Sequence, residues 1–334
     1  MELTTPYLLF LGDARDQLAA KTAAGIAQWR PRHCVGQHRL EKCAADLGLP
    51  DLGLDDAVAQ GAKTMVIGVA NAGGVLPAEW SRIIIDALGK GLDVASGLHN
   101  RLDAVPEIRA AAADAGRRLI DVRAPDRDYP VANGCPRSGR RMLTVGTDCS
   151  VGKMYATLAI EQEMNRRGIS TRFCATGQTG IFIAGSGVPV DAVPADFISG
   201  SVEWLTPASD ADHWDLIEGQ GSLFHPSFAG VSLGLLHGAQ PEALILCHEP
   251  TRTHMRGLRD QPVPTLKACL DANLEAAKLT SPQVRCVGIA VNTSKLEPGD
   301  RRVYLDQTEA DLGLPAADPV ATGVGFLVDA LLAS

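Results

Sequence analysis

The stretch RMLTVGTDCSVGKMYATLAIEQEMNRR, residues 141–167, decides the fold of the second half of this chain. Arg141 to Gly146 reads as a buried strand, Gly146 to Met154 (GTDCSVGKM) as a glycine-bounded loop, and the remainder as a helix. A strand that runs through a loop bearing Gly152-Lys153 into a helix is a phosphate-binding loop. Its backbone N–H groups and the helix N-terminus point at an anion, and the lysine adds a mobile positive charge. The loop residues Gly146, Thr147, Asp148, Cys149, Ser150, Val151, Gly152, Lys153 and Met154 are therefore the expected cofactor-binding set.

Outward from this motif the same alternation continues. Apolar runs at 171–176, 215–219, 243–248 and 285–293 read as parallel strands, with helices over Lys153 to Arg167, Thr265 to Lys278 and Gly323 to Leu332. An earlier series precedes it, with strands at 7–12, 64–70, 92–97 and 118–122. Helices are expected there over Asp13 to Trp29, Pro77 to Lys90 and Ala104 to Arg117. The segment APDRDYPVANGCPRSGR (124–140) has three prolines, two glycines and no periodicity, so it reads as a linker. The expected class is α/β. A Rossmann-like N-terminal domain (1–123) is followed, after the linker, by a P-loop NTPase-like doubly wound parallel sheet (141–334). No GxGxxG follows the first strand, where the turn reads GDAR (12–15), so no nicotinamide dinucleotide site is expected there. The strand-end turns VANAGG (69–74) and SGLHN (96–100) are candidates to line an interdomain cleft.

The 334 residues carry 31 basic against 39 acidic side chains, a net charge of −8 with no basic stripe, which argues against nucleic acid as a partner. No apolar run approaches the ~18–20 residues that span a bilayer. The start, MELTTPYLLFLGDAR, lacks a basic n-region, so neither an export signal nor membrane attachment is expected. None of the eight cysteines forms a C-x-x-C pair, and Cys174, Cys247 and Cys286 sit in strand-like runs as small hydrophobes. Reduced cysteines without an export signal point to the cytoplasm. A symmetric homo-oligomer is the expectation for a two-domain α/β enzyme.

The loop resembles that of dethiobiotin synthetase, G-T-D-x-x-V-G-K-T, except that Met154 takes the final position. In P-loop NTPases a Ser/Thr hydroxyl there ligates magnesium. A thioether is a poor partner for a hard cation. The expected ligand is thus a cofactor whose phosphates are bound and not transferred, coenzyme A among them, with no obligatory metal. Asn292, in the NTSKL turn after the last long strand, is similar in placement to the adenine-recognition turn of those proteins.

Other candidates cluster at strand ends. Glu218 closes the run DLIEG and is expected to face Lys153, as general base, residual metal ligand or salt-bridge partner. Gln178 and Thr179 are candidate substrate donors in ATGQTGIFIAGSG (175–187). The loop that follows, with Asp191, Asp196 and Glu203, reads as a substrate-side lid. His225, His237, His248 and His254 offer near-neutral proton acceptors. Arg252 and Arg256 offer bidentate carboxylate binding. Metal binding by His248 and His254 is disfavoured by their i, i+6 spacing.

Taken together, GTDCSVGKM, ATGQTGI, EGQGSLFHPSFAGVSLGLLHG and NTSKL, with SGLHN in the first half, resemble the DgcN-type D-glutamate N-acetyltransferase family of two-domain P-loop proteins. The resemblance implies transfer of an acetyl group from acetyl-CoA to the amine of D-glutamate, in D-amino-acid catabolism. On that reading the loop and Lys153 hold coenzyme A phosphates, and Arg252 or Arg256 binds substrate carboxylates. Glu218 or His225 removes the amine proton. The alternatives are an ATP-dependent kinase or carboxylate–amine ligase similar to dethiobiotin synthetase, and a non-enzymatic nucleotide sensor.

Overall fold

The computed structural model describes residues 2–69, 76–98 and 100–333. Residues 70–74 of the VANAGG turn, the adjoining Val75, and His99 of the SGLHN turn lie outside the described residues. The chain divides into two compact units, Met1–Asp126 with Gln178–Ala192, and Arg127–Gly177 with Val193–Ser334. No helix among the described residues is long and apolar enough to cross a membrane.

The first unit is built on β1 (Tyr7–Gly12), β2 (Cys34–Arg39), β3 (Thr64–Ile67), β4 (Asp93–Ser96) and β5 (Leu119–Asp121), with α1 (Lys21–Trp29), α2 (Leu54–Ala59), α3 (Ala78–Gly89) and α4 (Pro106–Ala115). All pairings are parallel in the order β2-β1-β3-β4-β5. Central β1 is wholly buried, as its unbroken apolar run requires. Edge strand β2 carries no such run, since its half-buried face admits Gln37, His38 and Arg39. Gln37 is buried to hold the following turn, donating to Asp46 Oδ1 at 2.9 Å and accepting from Leu47 N at 2.8 Å. Helix α1 starts eight residues later than its pattern suggests, because Asp16 Oδ1 accepts from Ala19 N at 2.8 Å and holds a turn there.

The second unit contains β6 (Arg140–Gly146), β7 (Thr171–Cys174), β8 (Trp214–Ile217), β9 (Ala243–His248), β10 (Arg285–Val291) and β11 (Ala316–Ala317). In chain order its part of the sequence also forms α5 (Lys153–Arg166), α6 (Gln178–Ala184), α7 (Ile198–Leu205), α8 (Ala229–Ala239), α9 (Leu266–Lys278), α10 (Pro298–Leu312) and α11 (Gly325–Leu332), of which α6 packs in the first unit. The sheet is parallel throughout, ordered β11-β10-β9-β6-β8-β7. From β6 the chain crosses to the far edge at β7, returns through β8, and passes to the opposite side at β9. The carboxyl end of β6 therefore lies at the topological switch point, where open α/β sheets bind ligands.

The expected lid is mostly structured. After α6 come two 3-10 turns, Val190–Ala192 and Ala195–Phe197, and then α7. Two of its three acids have partners: Asp191 faces Arg123 at 3.7 Å, and Glu203 accepts from Asn133 N at 2.9 Å and Gly134 N at 2.8 Å. Those last bonds, with Arg137 Nη2 on Gly238 O at 2.7 Å, fasten the proline-rich segment to the second unit. Helix α8 is apolar all round, and so gives no helical period. It packs backbone to backbone on α7: a Cβ at Gly238 would stand 2.3 Å from Ser199 O.

Candidate phosphate-binding site

Strand β6 ends in the loop, where Ser150 (φ 53°) and Gly152 (φ 104°) take left-handed conformations that their neighbours do not share. Such alternation turns successive amides to one side, and the first amides of α5 have no acceptor within the helix. Together they form an anion cradle. Close approach beneath it needs glycine: a Cβ at Gly219 would lie 1.7 Å from Thr144 O and 3.0 Å from Lys153 Cδ. Gly219 N instead donates to Thr144 Oγ1 at 2.9 Å.

Lys153 is buried, and its Nζ donates to Asp148 O at 2.8 Å. Burial pushes its ammonium pKa down, so an anion in the cradle would add counter-charge that favours the charged form. Asp148 is fully buried and serves as a fastener. Its Oδ1 accepts from Cys149 N at 2.6 Å, and its Oδ2 from Arg252 Nη1 and Arg256 N, both at 2.7 Å. Arg252 also donates to Cys149 O at 2.5 Å and Ser150 O at 3.2 Å, and Arg256 Nη1 bonds Ser150 Oγ. These are the guanidinium groups expected to bind substrate carboxylates. Both rim the phosphate loop, and Arg252 spends its fork on the loop's own acceptors.

Glu218 follows β8 and is buried. Its Oε2 accepts from Thr176 N at 3.0 Å and Gly177 N at 3.1 Å, so it turns to the end of β7 while Lys153 keeps to Asp148. Among the described residues no ion pair joins Glu218 to Lys153, although the lysine's charge still acts on the carboxyl. Burial raises the Glu218 carboxyl to about 7, which suits a proton acceptor at neutral pH. His225 does not suit that role as it stands. Its Nδ1 accepts from Ser227 N at 3.2 Å and its Nε2 faces Arg256 O at 3.1 Å, so the carbonyl takes the ring proton and no lone pair is left.

His248, at the end of β9, shares a 2.9 Å hydrogen bond between Nδ1 and Thr147 Oγ1, and burial lowers its pKa to about 4. It is a neutral ring fixed to the loop. His254 is exposed and bonds its neighbour Thr253 Oγ1 at 2.7 Å. Among the described residues, metal-type donors converge at Asp148, Cys149 and His225. The aspartate and histidine are already committed to the bonds above, and burial raises the Cys149 thiol pKa. That donor set does not suit a hard cation, nor does the Met154 thioether.

Asn292 N donates to His248 O at 2.8 Å, and its Oδ1 accepts from Ser294 N at 3.2 Å. Thr293 N donates to buried Asp318 Oδ2 at 2.9 Å, which stiffens this turn. Asn292 Cβ would stand 3.7 Å from a Cβ on Gly152, so the turn borders the first residues of α5. Gln178 and Thr179 open α6 in the first unit: a Cβ on Gly97 would lie 2.4 Å from Gln178 Oε1, and one on Gly25 3.3 Å from Thr179 Cγ2. Two contributors escaped sequence reasoning. Thr176 carries the Glu218 carboxylate through its amide, for which no side-chain signal exists, and Tyr304, whose ring stands 6.2 Å from that of His248, lies on α10, whose polar sequence has no apolar stripe.

Residues 130–328 match the family described as "Domain of unknown function (DUF1611_C) P-loop domain", and residues 32–125 match "Domain of unknown function (DUF1611_N) Rossmann-like domain". A protein of Tritonibacter scottomollicae named D-glutamate N-acetyltransferase is 57% identical over 331 residues, 99% of each chain. A Pseudoalteromonas protein of the same name is 47% identical over 98% of this chain and 99% of its own. The crystal structure of a DUF1611 family protein from Anabaena variabilis superposes with a TM-score of 0.85 at 30% identity, covering 99% of this chain and 100% of that one.

Proposed function

This chain belongs to the DUF1611 family of two-domain P-loop proteins, and from that premise we propose that it is a D-glutamate N-acetyltransferase whose donor is acetyl-CoA. The observation that carries the reading is full-length identity of 57% and 47% to two D-glutamate N-acetyltransferases. The cradle supports the choice of donor. It offers amides and Lys153 to phosphates, while Met154 stands where a phosphoryl-transfer site places its magnesium ligand.

In this reading the loop amides from Ser150 to Met154 and Lys153 hold the donor's phosphates, and the Asn292 turn borders them. Glu218 takes a proton from the substrate ammonium, since only the neutral amine has a lone pair. The amine nitrogen then bonds to the thioester carbonyl carbon, the C–S bond breaks, and the nitrogen's surplus proton passes to the departing sulfur, so coenzyme A leaves as the thiol. Backbone amides of the glycine-rich turns stabilise the oxyanion that forms on the way.

Mixing the purified protein with acetyl-CoA and D-glutamate tests the reading. Thiol release matched one to one by N-acetyl-D-glutamate is expected, at a rate that dialysis against EDTA leaves within about twofold. ADP formed in step with product from Mg-ATP and an acid, or a rate abolished by EDTA and restored by magnesium, would count decisively against it.

A further inference from the structure

We infer that a groove on the second unit, walled by α9, α10 and the turn after β9, seats the adenine nucleoside end of the acyl carrier, with Tyr304 as its stacking face. The inference rests on the acetyl-CoA reading above.

The groove has a volume of about 590 Å³ and is lined by His248, Arg252, Pro264, Leu266, Tyr304 and Gln307 among others. Small-molecule sites span ~300–1,000 Å³, with apolar walls and a few polar groups. Two of the lining residues are also partners of the phosphate loop. His248 bonds Thr147 at 2.9 Å, and Arg252 bonds Asp148 at 2.7 Å. The groove and the anion cradle therefore share walls, and a ligand whose phosphates occupy the loop has this cavity next to it.

The chemistry of the walls selects which part of the carrier enters. Tyr304 is half-buried, with its ring at 19° to that of His248 and 6.2 Å from it. The histidine, tied to Thr147 behind it, holds the tyrosine face in place. A π-face of this kind suits any purine, because base stacking needs no matched hydrogen bonds. Pro264 and Leu266 add apolar wall, and the amide of Gln307, bonded to Asp311 at 2.7 Å, adds a polar edge. The amino-acid substrate fits this cavity less well. A dicarboxylate asks for free cations, whereas Arg252 is engaged with the loop and Lys267 with Asp271 at 3.0 Å.

Steady-state kinetics of the full-length enzyme test the assignment, using Tyr304→Ala and, as a groove-filling change on another wall, Leu266→Trp. Each is compared with acetyl-CoA and with the acetyl thioester of N-acetylcysteamine, which lacks the nucleotide. The KM for acetyl-CoA should rise about fivefold or more in both variants, with the KM for D-glutamate unmoved, and the penalty should vanish with the truncated donor. A wild type active with acetyl-CoA whose two variants keep its KM within about twofold would overturn the groove assignment alone. An equal loss with both donors would overturn it too, since the damage would not depend on a nucleoside. A wild type inert with acetyl-CoA would overturn the donor reading, and this assignment with it.

Discussion

Glu218→Gln lowers kcat by about 10²–10⁴-fold, the usual contribution of a general base, while the KM for acetyl-CoA changes by less than about twofold. The glutamine keeps the shape and a carbonyl oxygen for the Thr176 and Gly177 amides, so geometry survives and only the proton acceptor is lost. In the wild type, kcat/KM should climb with pH through about 7, because the carboxyl held near that value must be ionised to accept a proton. Stability runs the other way. Burial raises this carboxyl from 4.5 to about 7, so between those values the folded chain keeps a proton that the unfolded chain has released. Its contribution is complete below 4.5 and is lost as pH rises through about 7, a change on the order of 3 kcal/mol. The neutral glutamine has no such loss. Melting temperatures should therefore diverge in favour of the variant as pH rises from 4.5 to about 7, and coincide below 4.5. A variant with wild-type turnover removes Glu218 from the base role, and a pH-independent gap in melting temperature contradicts the buried-carboxyl argument.

Lys153→Ala weakens acetyl-CoA binding by about 1.5–3 kcal/mol, the range for hydrogen bonds to a charged group, or roughly 10–150-fold in affinity. Among the described residues the buried ammonium has only the Asp148 carbonyl as its hydrogen-bond acceptor, and burial already favours its neutral form. A bound phosphate reverses that preference, so the charge matters more in the complex than in the empty protein. Isothermal titration with acetyl-CoA measures the loss directly, and it should change little with salt, because a buried charge is screened far less than an exposed one. Unchanged affinity would place the donor's phosphates away from this loop.

Much of the architecture is legible in the residues because burial on both faces of a parallel sheet demands continuous apolar runs. Strands β1, β6, β9 and β10 announce themselves in this way. The loop is equally plain, since a left-handed turn beneath a helix N-terminus calls for glycine and its anion for lysine. Elements without that constraint are silent. Edge strand β2 is half polar, α8 is apolar on every side, and α10 is polar enough to hide Tyr304.

What the order of residues determines by itself is therefore the class of fold, the anion cradle at the end of β6, and the missing hydroxyl at Met154, because each is a local demand of backbone geometry or ligand chemistry. What only tertiary structure decides is the employment of the polar side chains around the cradle. Arg252 lies 104 positions from Asp148 along the chain, His248 101 from Thr147, and Glu218 42 from the Thr176 amide that holds it. A guanidinium, an imidazole or a carboxylate is equally able to meet substrate or scaffold. Which one it meets is set by the strand order, which brings distant loops to one edge of the sheet and leaves each group the partner nearest to it there.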